Sequence, residues 1–249
     1  MYDPQGEILD YESLGGSLAI RGTYSGGGRG DLIVSFSEQE KVLRFPTGIQ
    51  TRRSVDLNFS DLLPDCERPD AILSSKRELA ASLLMLCHHS TDSGPTPAPG
   101  NAIYDGVAFD GFNTKHFYLE TSLNTFGDFS PPYGIHDMAE LNNGDLMILF
   151  VGGFDDKMRI GYVRRDELRQ AIHRGGIVRP EIIAHLSRNE GYIIGDATGL
   201  DIRQDPRSAR IFVYITYDYY DGEEDHVLLS TFEWIPEETA GRCANVATN

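Results

Sequence analysis

The chain has 249 residues, with 22 basic against 38 acidic side chains and a formal net charge of -16. A field of that sign repels nucleic-acid phosphates and anionic lipid headgroups, so nucleic acid is not an expected partner. No apolar run reaches the roughly 18 residues of a membrane span, so membrane insertion is not expected either.

The hydrophobic share, 40%, can build the core of one large β domain without disulfides or metals. The start, Met1-Tyr2-Asp3-Pro4, lacks the basic and apolar stretches of a signal peptide, so synthesis in the cytoplasm without a signal peptide is expected. Cys66, Cys87 and Cys243 form an odd set without CxxC spacing. They read as thiols in a reducing compartment or as small buried residues.

Along the chain, short apolar runs alternate with Gly, Pro, Asn and Asp, the signature of strands and turns. A first unit comprises Ser17–Thr23, Asp31–Phe36, Val42–Phe45 and Ser54–Asn58. A second comprises the strand opened by Pro69-Asp70-Ala71, then Leu79–Cys87, Ala102–Phe109 and His116–Thr121. Within it, Ser75–Leu86 suits a helix, while Leu83–Cys87 also suits a buried strand. A third unit runs Gly134–Leu141, Asp145–Gly152, Met158–Arg164 and Glu181–Ser187, with a helix over Asp166–Arg174. A fourth has Ile194–Ile202, Arg210–Tyr219 and His226–Trp234. Its missing fourth strand can come from the N-terminus, at Glu7–Tyr11.

Self-similarity at this period predicts an all-β fold: a small β-propeller of about four four-stranded blades in one domain spanning residues 1–249. The blades cover approximately 13–60, 66–121, 134–187 and 192–235, and the N-terminal strand 7–11 closes the ring. A β-sandwich or jelly roll would use the same strands without needing a repeat.

The motif Asp137-Met138-Ala139-Glu140-Leu141 lines up with Asp196-Ala197-Thr198-Gly199-Leu200, and Asp70-Ala71 holds the same place in the second unit. Aspartates on inner strands converge on a propeller axis. Asp70, Asp137 and Asp196, with His136 beside them, therefore form a candidate site. Carboxylates so gathered could hold Ca²⁺, cleave a glycosidic bond, or accept backbone hydrogen bonds in turns. Phe129 and Tyr133, in the loop Phe126–Tyr133, and Tyr219 and Tyr220, at a strand end, could present aromatic faces to a sugar or peptide. No Gly-x-Ser-x-Gly elbow or phosphate loop occurs.

The inner-strand aspartates resemble those of propeller-fold glycosidases, which place three carboxylates on successive blades. The Asp-Ala dipeptides Asp70-Ala71 and Asp196-Ala197 also resemble the inner strands of hemopexin-like four-bladed domains. The hemopexin aromatic pattern is missing, as is the general-acid Glu of the glycosidases. The function expected is therefore a non-enzymatic recognition or structural module. It would bind a glycan or a protein neighbour, as part of a larger assembly such as a virion or phage tail. The alternative is a propeller glycosidase using Asp70, Asp137 and Asp196.

Overall fold

The computed structural model describes residues 3–7, 17–21, 30–36, 41–58, 69–75, 83–87, 94–122, 133–152, 157–192, 196–205, 207–208, 210–220 and 224–236. They form an all-β structure of four sheets, with one α-helix among the described residues. The first sheet holds β1 (Ser17–Arg21), β2 (Asp31–Phe36), β3 (Lys41–Phe45) and β4 (Val55–Asp56). The second holds β5 (Pro69–Ser74), β6 (Leu83–Cys87), β7 (Asn101–Phe109) and β8 (Thr114–Ser122). The third holds β9 (Tyr133–Glu140), β10 (Leu146–Gly152) and β11 (Lys157–Val163). Helix α1 (Arg165–Arg174) and the short β12 (Ile177–Val178) precede its last strand, β13 (Glu181–Ser187). The fourth holds β14 (Asp196–Gln204), β15 (Ile211–Tyr220) and β16 (Asp225–Trp234). Neighbouring strands follow chain order as antiparallel meanders, except that β12 joins the second sheet.

Leu83–Cys87 is a strand with all five residues buried. A run apolar on both faces cannot lie as an amphipathic surface helix, but it suits a strand covered on both sides. Residues 76–82 and most of the predicted closing strand Glu7–Tyr11 lie outside the described residues. At the described part of the N-terminus, Asp3 accepts from the Glu7 amide at 2.7 Å through its side chain. Its carbonyl accepts from the Ser54 amide at 3.3 Å, which seats this turn beside β4.

Hydrophobic clusters lie between successive sheets. Ile33 and Val42 of the first sheet meet Ile72, Met85 and Val107 of the second. Leu84, Leu86 and Phe117 of the second meet Ile135, Ile148 and Phe150 of the third. Met147 and Leu149 of the third meet Leu200, Val213 and Ile215 of the fourth. Alternate residues of β10 thus serve two cores, which is why Leu146–Val151 reads as an unbroken apolar run. The first strands lie side by side in the same order, β1 beside β5, β5 beside β9 and β9 beside β14. The other face of the fourth sheet carries exposed Asp201, Val227, Leu229 and Glu233. No sheet closes on itself.

The segment containing α1 leaves the third sheet and crosses to the second. β12 pairs in parallel with β8, Ile177 opposite Tyr118 and Val178 opposite Leu119. The Tyr118 amide donates to the Gly176 carbonyl at 2.9 Å. Leu168, Ala171, Ile172 and Val178 enter the core shared by the second and third sheets. Asp166 and Glu167 in the first turn, with His173 and Arg174 in the last, complement the helix dipole. The helix was legible in the sequence, but β12 was not: a two-residue bridge has no alternation to detect.

Glu120 anchors the far edge of the second sheet. Its side chain is 1% exposed and pairs with Arg179 at 2.6 Å. It also accepts from the Asn101 side chain and the Ala98 amide, both at 2.9 Å. The Asn101 donation first, then that of Ala98, hold its carboxyl below the usual range. Replacing Glu120 with Ala leaves those donors without their acceptor. The expected loss is about 1–3 kcal/mol in chemical denaturation, and an unchanged midpoint would refute this role.

Cys87 is fully buried and disulfide-bonded. Its burial agrees with the reading of the cysteines as small buried residues, while its disulfide corrects the alternative of a reduced thiol at that position. No helix among the described residues is long and apolar enough to cross a membrane.

Candidate functional site

The three predicted aspartates lie on three neighbouring first strands but at different points along them. Asp70 is the second residue of β5, Asp137 the fifth of β9 and Asp196 the first of β14. Their environments differ as well. Asp70 is buried, and its charge adds to the burial that pushes the Tyr104 phenol up to about 12. Asp196 is exposed and faces another carboxylate, Asp218, in register across β15.

Asp137 bridges two sheets. One oxygen accepts from the Met138 amide at 2.8 Å and the other from the Leu200 amide on β14 at 2.7 Å. Burial pushes its carboxyl up to about 7; the two amides pull the other way and nearby Asp201 adds a smaller upward push. Gly199 makes room for Thr216 on β15: a Cβ there would stand 2.5 Å from the Thr216 hydroxyl, and at an ordinary contact distance, 3.9 Å, from the Asp137 oxygen.

A common feature does link these strands, and it is a bulge. The ladder skips one residue on β5 at Asp70, on β9 at His136 and on β14 at Thr198. Cross-links between the strands set their relative levels. Ser75, just past β5, donates to Glu140 at the end of β9 at 3.0 Å. Leu200 of β14 is level with Asp137, and the Asn142 amide donates to Gln204. The three bulges therefore lie at nearly one level, and each extra residue is polar. A bulge re-aims side chains and sharpens the local twist. His136 is part-buried within this row.

Among the described residues, no three His, Cys, Asp or Glu side chains gather into a set that could hold a metal ion. Of the predicted aromatics, Phe129 lies outside the described residues, as do the side chains of Tyr133, Tyr219 and Tyr220. Tyr217 is buried and its hydroxyl shares a 2.6 Å hydrogen bond with Ser230, so it packs rather than presents a surface.

A second feature was not singled out from the sequence. At the end where β9 and β14 finish, an open cleft of about 1050 Å³ separates the third and fourth sheets. Tyr162 of β11 and Trp234 of β16 line it as a tilted aromatic pair, centroids 5.1 Å apart and planes at 47°. Arg164, Glu167, Glu181, Asn143 and Gln204 contribute polar groups to its walls. Beneath them, buried Asp145 gathers the walls together. It accepts from the Asn143 side chain, the Tyr162 hydroxyl and, at 2.7 Å, the Arg165 amide. Burial, then the Asp145 hydrogen bond and charge, push the Tyr162 phenol up to about 12. Gly144 completes the β9–β10 turn at φ 87°, with its Cα under the Arg165 side chain. A side chain there would be strained and would meet Arg165 Cδ at 2.7 Å.

In comparisons with known proteins, no family model and no curated protein matched this chain.

Proposed function

We propose that this protein is a non-enzymatic recognition module whose four sheets serve as blades of a small propeller-like ring. It binds a glycan or a protein neighbour, as one component of a larger assembly. The observation that carries this reading is the use made of Asp137, whose two carboxylate oxygens are both taken by backbone amides. Glycoside hydrolysis needs two carboxyl groups facing each other across an open site. The ring arrangement is supported by the first strands lying side by side in chain order, and by cores between successive sheets. Architecture by itself assigns no activity.

One observation favours the competing reading, a propeller glycosidase using Asp70, Asp137 and Asp196. Burial brings Asp137 up to about 7, where a general acid works well at neutral pH. Reducing-end release from a panel of neutral oligosaccharides separates the two readings. The recognition reading expects no turnover above buffer by the full chain, together with retention of a glycan or protein partner on the immobilised protein. Turnover that disappears in Asp137→Asn would establish the glycosidase instead, and failure to retain any partner would also remove the recognition reading.

A further inference from the structure

Resting on that recognition reading, we propose that the cleft between the third and fourth sheets is the binding site and that its ligand is a short neutral oligosaccharide. Three properties of the cleft carry this. Its size, about 1050 Å³, lies just above the roughly 300–1,000 Å³ range of small-molecule sites. That volume has room for several linked sugar units.

Its chemistry is that of a surface for polyhydroxylated rings. The Tyr162–Trp234 pair is partly buried against the core and lines the cleft with its remaining exposed surface, against which the C–H face of a sugar can lie. The Trp234 side chain is partly exposed. Around it stand planar charged groups, Arg164, Glu167 and Glu181, whereas the Asn143 amide is held by Asp145 and the Gln204 oxygen by the Asn142 amide. Guanidinium and carboxylate groups each pair two adjacent hydroxyls in one plane. A protein partner would favour an interface centre depleted of charge. Here an ion pair, Arg165 to Asp166 at 3.5 Å, stands in the wall itself. Exposed Asp166, Glu167 and Glu181, with the net charge of -16, repel acidic sugars. This selects a neutral ligand.

The cleft is also pre-organised. Asp145 ties the β9–β10 turn, Tyr162 and the start of α1 to one buried carboxylate. The walls therefore lose little freedom when a ligand binds.

Trp234 is the chain's single tryptophan, so fluorescence excited at the red edge of the indole band, where tyrosine does not absorb, reports on this cleft alone. The full chain is titrated with cellohexaose, chitohexaose, maltohexaose and mannohexaose. At least one is expected to produce a saturable emission shift and to shield Trp234 from iodide quenching. Arg164 and Glu181 are exposed, so Arg164→Ala and Glu181→Ala should leave the melting temperature in place. Each should weaken binding by about tenfold, the loss of one charge-assisted hydrogen bond. Trp234→Ala, followed by calorimetry, should abolish binding.

Absence of a saturable response to all four sugars overturns the proposal. So does binding of undiminished affinity in Arg164→Ala and Glu181→Ala. If a protein partner is retained while no sugar binds, the recognition reading survives and the oligosaccharide assignment falls. If neither is retained, both fall.

Discussion

Substituting Asp137 with Asn is expected to flatten the pH dependence of stability and to make the protein more stable than wild type above neutrality. A carboxyl with a folded value near 7 against an ordinary 3.8 binds its proton more readily in the folded state. Its contribution to stability is complete below pH 4 and is lost as pH rises through about 7. The gap corresponds to at most roughly 4 kcal/mol, an upper bound because part of the Asp137 surface remains exposed. Asn keeps an oxygen for the Leu200 amide and carries no charge to desolvate, and the loss of the Met138 hydrogen bond, which its NH2 cannot accept, is a smaller cost that is the same at every pH. Asp137→Ala removes that acceptor and leaves the amides unpaired, so it should destabilise by about 1–3 kcal/mol at every pH. Urea unfolding of the three proteins between pH 4 and pH 9 decides the matter, and the difference curves cancel the titration of other carboxylates. Parallel wild-type and Asn curves would show that Asp137 is ionised throughout.

Gly106→Ala is expected to destabilise the second sheet severely. Gly106 on β7 lies directly opposite Phe117 on β8. A Cβ built on it would meet three atoms of the Phe117 ring at 2.5–2.7 Å. The ring cannot swing aside, because Phe117 is 2% exposed within the core shared with the third sheet. Overpacking of this kind costs about 1–3 kcal/mol and occasionally more. That corresponds to a fall in melting temperature of roughly 2–4 °C per kcal/mol for a chain of this size. Phe117→Leu in the Gly106→Ala background should recover part of the loss, although Phe117→Leu alone destabilises. The positive coupling in this double-mutant cycle is the specific signature. Additive losses would mean that the ring does not rest on Gly106.

The strands were legible in the sequence because turn residues delimit them and apolar runs fill them. Asp31–Phe36 and Glu181–Ser187 match the observed strands end to end. The alignment of Asp137 with Asp196 did not translate into equal levels, and the reason is physical. Each of β5, β9 and β14 carries one extra residue, at Asp70, His136 and Thr198. One bulge per strand, all at nearly one level, shifts the three counts equally, so the aspartates differ because they stand differently from it: Asp70 is the bulge residue, Asp137 follows His136 by one and Asp196 precedes Thr198 by two. Leu200, rather than Asp196, is level with Asp137. The cleft was hidden for a different reason. Tyr162 and Trp234 belong to different sheets, and each alone reads as an ordinary strand aromatic. Only the stacking of the sheets brings their rings to 5.1 Å.

The crossing of β12 onto β8 has a consequence for biosynthesis. β8 ends at Ser122, while the residues that cover its edge, Ile177 and Val178, emerge much later. At about 5–20 residues per second of translation, that edge waits some ~3–11 seconds without its cover. Throughout this delay the nascent second sheet presents open backbone groups to neighbouring chains on the same polysome. Ribosome-bound fragments ending before residue 177 should therefore bind trigger-factor-like holdases or aggregate, and those extending past α1 and β12 should escape.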